Sequence, residues 1–296
     1  KPNNTYDKIY RNTKGASFVP YVPSAILVFI GKQINLSPLL IFTLGRFANL
    51  LLSFIICYLT LKIVTHYKKI FFIIMLLPSF VQSQIGFNMD SMTNAIAIFI
   101  VGYFIKLIYQ KEKINTKQIS ILSILGLILS FCKFGYFPIM FLGLLIPSKK
   151  IKSKQIPSII IKIVLILFVF LVSYKFSVGN VSGDGTSETS FYTISYALKN
   201  PINTIRVFAN TALNRLDSDI FKGHFDSFGT YSKFTHPTLV TLLIIIYALA
   251  LLVEDNYKKM KIIDRIIFLS IAILLVGIPY VAMFLSWTEQ GSTMIA

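Results

Sequence analysis

Eight apolar runs separated by short polar segments occupy most of this chain. They lie at residues 38–62, 70–86, 93–110, 119–131, 137–148, 157–177, 237–253 and 264–286. A helix that crosses a bilayer needs roughly 20 apolar residues, and lipid tolerates neither irregular spans nor open sheet edges. Because 55% of the 296 residues are apolar, the chain has too little polar surface for a water-soluble protein. The sequence therefore predicts an all-α, polytopic bundle of transmembrane helices.

Two of these runs, 119–131 and 137–148, are shorter than a full span and are separated only by the segment CKFGYF. Shorter helices are tolerated in a membrane where neighbouring helices or a polar cavity cover their ends. This part of the chain is therefore expected to form either two short helices or one hairpin that does not cross completely.

The net charge of +17 is distributed in a pattern that indicates membrane topology. Four loops between apolar runs carry basic clusters: Lys68 and Lys69; Lys111, Lys113 and Lys117; Lys149, Lys150, Lys152 and Lys154; and Lys258, Lys259, Lys261 and Arg265. Since basic loops stay in the cytoplasm, these four are predicted to be cytoplasmic. The predicted outer segments are 1–37, 83–92, 132–136, 178–236 and 287–296. The expected partner is the lipid bilayer, and no nucleic-acid partner is predicted.

The segment PSFVQSQIGFNMDSMTN, residues 78–94, concentrates polar side chains between two apolar runs. Pro78 is expected to weaken one helix, and Asp90 to begin the next on the outer face. Asp90 has two interpretations: it caps the free N–H groups of that helix, or it belongs to a ligand site. The nearby Gln82, Gln84 and Asn88 favour a polar cavity over a simple turn.

Two cations extend this predicted polar region. Arg46 lies eight residues into the first apolar run, about 12 Å along a helix. An arginine at such a depth costs on the order of 3 kcal/mol unless it is paired or reaches water. Arg46 and Lys133 therefore either extend to the interface or meet an anionic lipid headgroup, because guanidinium pairs well with phosphate.

The segment 178–236 is predicted to be a large extracytoplasmic loop. Within it, residues 201–216 have apolar and polar faces at helical spacing, which predicts an amphipathic helix in the outer membrane interface. Asp217, Asp219, His224 and Asp226 follow, and these residue types can bind a divalent metal or act as acid and base. Their spacing matches no standard metal loop, so solvated loop carboxylates are the simpler interpretation.

Four motifs occur in an order that resembles a known bacterial family: YVPSAILVFIGKQINLSPLLIFTLGRFANLL, LLPSFVQSQIGFNMDSMTN, CKFGYFPIMFLGLLIP and KNPINTIRVFANTALNRL. The chain resembles domain-of-unknown-function family 2142 from about residue 17 onwards, a family grouped with GT-C type glycosyltransferases. The positions that match the family pattern are Arg46, Pro78, Gln82, Asp90, Lys133, Tyr136, Asn200, Pro201, Gly223 and Gly229. The chain departs from that pattern after the second glycine, where Thr230 or Tyr231 replaces the usual Trp, so the resemblance does not supply an aromatic sugar platform.

The resemblance implies a GT-C-like enzyme of the bacterial cytoplasmic membrane that uses a polyprenyl-phosphate-linked sugar. The acceptor would be a cell-envelope glycan or a lipid-linked molecule on the outer face. Arg46, Gln82, Asn88, Asp90, Lys133 and Tyr136 are the expected substrate- and phosphate-binding residues. GT-C enzymes carry their general base after the first helix, so that base is expected upstream of Lys1. No resident cofactor is implied beyond a possible divalent metal.

Residues 1–296 are expected to form one integral membrane domain that lacks its natural N-terminus and is continued beyond Ala296. The chain has no Walker loop, GxSxG or HExxH motif, which gives no support to an ATP-driven or hydrolase mechanism. Two other functions remain open: a transporter or flippase of lipid-linked saccharides, and a non-catalytic protein of envelope-polymer assembly. The absence of a clear internal repeat weakens the transporter interpretation.

Overall fold

The computed structural model describes residues 17–151, 160, 163, 166–171, 192–216, 237–252, 261–286 and 288–295. Its α-helices are α1 Val22–Gln33, α2 Pro38–Ile63, α3 Lys68–Met75, α4 Pro78–Ile85, α5 Asp90–Tyr109, α6 Thr116–Cys132, α7 Ile194–Lys199, α8 Pro201–Leu216, α9 Pro237–Leu252 and α10 Ile262–Ser286. Three 3-10 helices cover Val19–Tyr21, Phe134–Leu145 and Ser148–Lys150. Residues 166–171 are also helical. The described part of the chain is thus all-helical, as predicted.

The number of full spans is smaller than the eight predicted runs. In the described residues, α2, α5 and Ile262–Leu285 are long and apolar enough to cross a membrane, and α3 with α4 forms a fourth span if the bent pair is counted as one. Helix α6, Gly135–Leu145 and Thr241–Ala250 are apolar but shorter. The run predicted at 157–177 lies largely outside the described residues. The count of about eight apolar segments, some of them short or re-entrant, is therefore not confirmed by the described residues.

The run predicted at 70–86 is not one straight helix. Helices α3 and α4 meet at a bend of 60°. Pro78 occupies the first turn of α4, where the missing N–H of proline removes no helical hydrogen bond. Because proline disfavours helical geometry in the residue before it, α3 ends ahead of Leu77. Because α4 is short and separate, carbonyl groups at its C-terminus accept hydrogen bonds from side chains of α2.

Helix α1 lies within residues 1–37, which were predicted to be an outer segment without a span. Its 12 residues are too few to cross a bilayer, and it packs against α2 as a hairpin. Asn35, with φ of 53°, lies in the connection, and the Ser37 hydroxyl accepts from the N–H of Leu40 to cap α2. Gly31 permits the close approach, since a Cβ there would lie 3.2 Å from Ile41.

Helix α5 is the central element of the described bundle. About 61% of its span is buried, against 22% for α2 and 6% for the span in α10. Its fully buried Ile100, Phe104 and Leu107 pack with α6, the 3-10 helix Phe134–Leu145 and α10. The weakly buried α2 and α10 expose large apolar side chains, as expected where helices face lipid. The N-terminus of α5 carries Asp90, so this core positions that residue firmly.

Described residues beside the four lysine-rich loops lie at the same end of the bundle. Tyr67, Tyr109, Ser148 and Lys261, each beside one of these loops, line a common cavity. The Lys150 ammonium also donates to main-chain carbonyls at the C-terminus of α5. We call this the lysine-rich end. The N-terminus of α5 lies about 30 Å away along the helix, at the opposite end.

Helix α8 occupies the residues where the sequence predicts an amphipathic helix. Its inward face holds the buried Val207 and Thr211, which pack near Tyr192 and residues 288–295. Its apolar stripe points away from the protein: Ile202 is 83% exposed and Ile205 is 67% exposed. A stripe of this kind, unmatched by protein contacts in the described residues, is suited to lipid.

Candidate functional site

The connection between α4 and α5, residues 86–89, is here called the α4–α5 turn. The Asn88 side chain organises it, because its Oδ1 accepts from the N–H groups of Asp90 and Ser91, both at 3.1 Å. Two free donors at the start of α5 are thereby satisfied. Asn88, rather than Asp90, provides the capping hydrogen bonds, and this leaves the Asp90 carboxylate available for another contact.

The Asp90 carboxylate pairs with Lys133 across the bundle. Lys133 Nζ lies 3.1 Å from Asp90 Oδ1, and the two side chains are 44% and 42% exposed. Lys133 is placed there because α6 ends at Cys132 and the chain turns extended. An ion pair this exposed contributes less than about 1 kcal/mol to stability. The pair is therefore better suited to positioning two charges at an open surface than to holding the fold together.

A chain of hydrogen bonds continues from Tyr136 into the bundle. The Tyr136 hydroxyl donates to Asn94 Oδ1 at 3.0 Å, and Asn94 Nδ2 donates to Ser83 Oγ at 3.2 Å. The Lys133 ammonium lies 5.9 Å from the centroid of the Tyr136 ring. Helices α4 and α5 and the 3-10 helix are thus joined at the level of Asp90.

Arg46 approaches the α4–α5 turn from α2. Its Nε donates to the carbonyl of Ile85, the last residue of α4, at 3.0 Å, and its guanidinium lies 5.8 Å from the Phe42 ring centroid. Arginine commonly satisfies carbonyls left free at a helix C-terminus. The side chain is exposed, and the guanidinium has further donors beyond Nε. Arg46 therefore holds the end of α4 through Nε, and the other N–H groups of its guanidinium remain accessible.

Two polar residues inside α2, absent from the sequence-predicted site, also hold this region. Asn49 is 2% exposed, accepts from Ser24 Oγ at 2.6 Å and donates to the Gly86 carbonyl at 2.8 Å. Ser53 lies 3.2 Å from Ser91, whose hydroxyl donates to the carbonyl of Gln84. Both residues could have been identified from the sequence as polar side chains within an apolar helix. Such residues are rare in membrane spans because placing them in lipid costs free energy.

Gln84 is the glutamine that the fold buries, whereas Gln82 is exposed. Gln84 Nε2 donates to the Phe80 carbonyl, which can only accept, so the orientation of the amide is fixed. Its Oε1 has no hydrogen-bond partner among the described residues. Buried polar atoms without a hydrogen-bond partner are uncommon in folded proteins. Such an atom marks a place where a ligand group can donate the missing hydrogen bond.

An apolar groove of about 260 Å³ runs beside these residues, between α2 and the bent pair α3–α4. Its lining includes Leu50, Ser53, Cys57, Phe80 and Gln84. Leu50 lies one helical turn from Arg46, so the groove begins next to that cation. The groove has polar groups at the end near the α4–α5 turn and apolar side chains along the rest.

Comparison with known proteins identifies the family. The family model described as "Predicted membrane protein (DUF2142)" matches residues 1–296. The chain belongs to the DUF2142 family. The resemblance seen in the sequence motifs is thereby confirmed, and the apolar helices and the family together show a multi-pass membrane protein. No curated protein and no solved structure matches the chain.

In this DUF2142 protein, most of the expected ligand-binding residues lie together, but Gln82 does not. Asn88, Asp90, Lys133 and Tyr136 lie in one connected set of contacts, and Arg46 contacts the adjoining end of α4. Gln82 is exposed and outside these contacts, because the rotation of α4 places Gln84 inward instead. The metal candidates Asp217, Asp219, His224 and Asp226 lie outside the described residues, within which no group of three potential metal ligands occurs.

Proposed function

We propose that this DUF2142 protein is a membrane glycosyltransferase of the GT-C type. It transfers a sugar from a polyprenyl-phosphate donor to a cell-envelope glycan or lipid-linked acceptor on the outer face of the bacterial cytoplasmic membrane. One observation carries the proposal: two exposed cations, Arg46 and Lys133, contact Ile85 and Asp90, which flank the α4–α5 turn, and an apolar groove begins beside Arg46.

The arrangement matches the chemistry of a lipid phosphate. Phosphate oxygens pair with a guanidinium fork and with an ammonium, and charge-assisted bonds of this type are stronger than neutral ones. An isoprenoid chain attached to that phosphate needs apolar surface, which the groove between α2 and α3–α4 provides. The buried amide of Gln84 at the polar end of the groove adds an acceptor for a hydroxyl of the substrate.

In the proposed reaction a carboxylate base removes the proton of the acceptor hydroxyl, and the oxygen attacks the anomeric carbon of the sugar. The bond from that carbon to the phosphate oxygen breaks, and the electron pair leaves on polyprenyl phosphate. Arg46 and Lys133 stabilise the charge that develops there. Asp90 orients Lys133 and the sugar. We propose that the base comes from an outer loop after the first helix, as the resemblance to GT-C enzymes implies.

The remaining parts of the chain fit around this mechanism. We propose that residues 1–296 form a single membrane domain with the lysine-rich end in the cytoplasm and segment 178–236 outside. The exposed apolar stripe of α8 rests in the outer interface and helps to close the site towards lipid. A divalent metal at Asp217, Asp219, His224 and Asp226 is a further proposal.

The test is a transfer assay with the natural full-length protein reconstituted in vesicles. Radiolabelled polyprenyl-phosphate sugars are supplied with an envelope-glycan fraction from the source cells. We expect Arg46→Gln and Lys133→Gln each to lower transfer at least tenfold, while Lys62→Gln, at an exposed position near the opposite end of α2 from Arg46, leaves it unchanged. Wild-type levels of transfer in both site variants would exclude the phosphate role. Movement of intact donor across the vesicle membrane without transfer would instead establish a flippase.

A further inference from the structure

A second and larger cavity lies at the lysine-rich end, away from the proposed sugar-transfer site. Its volume is about 880 Å³, within the range of pockets that hold small molecules. Helices α3, α5 and α10 and residues 144–148 form its walls. Nothing in the proposed function uses this space.

The cavity is strongly divided between an apolar interior and a polar mouth. The interior is lined by branched side chains that include Ile70, Ile74, Ile98 and Val101. These residues lie deeper in the bundle than Tyr109, which ends α5 at the mouth. A ligand that fills the space must therefore combine alkyl chains with a polar group at one end.

The mouth carries charges of both signs. Lys261 and Asp264 are three residues apart at the start of α10, a spacing that places both on one face of a helix. Lys261 is exposed and Asp264 is half-buried. A purely anionic headgroup would meet repulsion from Asp264, whereas a zwitterion would satisfy both residues.

Tyrosines at the same mouth favour an ammonium as the positive group. The hydroxyls of Tyr67 and Tyr109 lie 3.4 Å apart, and both residues line the cavity. His66 packs edge-on to Tyr109 with ring centroids 4.7 Å apart, which fixes the orientation of this aromatic group. The hydroxyl oxygens and the Asp264 carboxylate can accept hydrogen bonds from a primary ammonium, which a quaternary ammonium cannot donate.

We propose that this cavity binds a phospholipid with an ethanolamine headgroup from the leaflet at the lysine-rich end. Its ammonium donates to Asp264 and to the tyrosine hydroxyls, its phosphate pairs with Lys261, and its acyl chains fill the space between α3 and α5. Choline has no N–H donors for Asp264, and the glycerol headgroup has no cation. This inference does not rest on sugar transfer.

The test measures lipid retained by the full chain in nanodiscs that contain equal amounts of ethanolamine, choline and glycerol phospholipids with identical acyl chains. After transfer to detergent, native mass spectrometry counts each bound lipid. We expect the ethanolamine lipid to dominate, and Asp264→Asn to lower its retention about three- to tenfold, because the acceptor at this half-buried position loses its negative charge. Glu112→Gln, at an exposed carboxylate of the same end, is the matched control.

A second pair of variants tests the location independently of charge. Ile74→Trp places a large ring into the cavity and should remove the bound lipid, whereas Ile124→Trp, at an exposed position of α6 that lines neither cavity, should not. Equal retention of the three lipid classes by wild type would overturn the headgroup assignment. Retention that is unchanged in both Asp264→Asn and Ile74→Trp would overturn the site.

Discussion

Residues at and beside the α4–α5 turn show which side-chain contacts could be predicted from the sequence. The prediction placed Asp90 and Lys133 at one membrane level, and they form an ion pair. It did not identify Asn88 as the cap, because Asn and Asp are equally good N-caps and only geometry separates them. It named Gln82 and not Gln84 among the ligand-binding residues, whereas the fold buries Gln84, since the orientation of an eight-residue helix depends on its tertiary contacts.

Gly45 provides a stability test at the residue scale. A Cβ at this position would lie 2.2 Å from Cε2 of Phe87, whose ring stacks on Phe42 above the α4–α5 turn. We expect Gly45→Ala to lower the free energy of unfolding by about 1 kcal/mol, because the partly exposed ring can move outward at moderate cost. Thermal unfolding in detergent measures the change.

The matched control is Gly277→Ala in α10, where nothing lies within 4 Å of the added Cβ among the described residues. This variant should be neutral or slightly stabilising, because alanine is the better helix former. Equal unfolding temperatures for the two variants would contradict the packing described for Phe87.

At the scale of elements, the observed helices differ from those predicted by hydropathy wherever a helix is short. Helix α1 escaped prediction because 12 residues do not meet the length of a span, although Pro23 marks its first turn. The bend between α3 and α4 was signalled by Pro78, but its angle of 60° was not, and neither were the hydrogen bonds by which Arg46 and Asn49 hold the end of α4. Such long-range contacts leave no local pattern in the sequence.

Helix α8 gives a prediction at this scale. A nitroxide at Ile205, on the exposed apolar stripe, should contact lipid, whereas one at Asn214 on another face should contact water. Oxygen should therefore relax the label at 205 more strongly than a polar nickel reagent does, with the reverse order at 214. The measurement uses reconstituted protein in which Cys57 and Cys132 are replaced by alanine. Water-like accessibility at both positions would exclude an interfacial α8.

For the whole molecule, charge and hydropathy were the informative signals. The alternation of basic loops grouped four distant segments, and residues beside all four line one cavity in the structure. The number of spans was harder to predict, because Thr116–Cys132 and Gly135–Leu145 are apolar yet pack as short helices. A helix that is covered by other helices can be shorter than an isolated span, because its ends are not exposed to lipid.

Orientation of the whole bundle is tested by cysteine labelling in intact cells. In a background without Cys57 and Cys132, we expect Gln82→Cys to react with a membrane-impermeant maleimide. Glu112→Cys, which is also exposed but lies at the lysine-rich end, should react only after permeabilisation. The opposite pattern would place the proposed active site in the cytoplasm and exclude the reaction on the outer face.

The central claim is that Arg46 and Lys133 recognise a lipid phosphate. The most direct measurement is the affinity of the natural full-length protein for polyprenyl phosphate compared with the matching polyprenol, which lacks only the phosphate. We expect at least tenfold tighter binding of polyprenyl phosphate than of polyprenol, and loss of most of this difference in the Arg46→Gln, Lys133→Gln double variant. Equal affinity for the two lipids, or a difference that survives both substitutions, would contradict this claim.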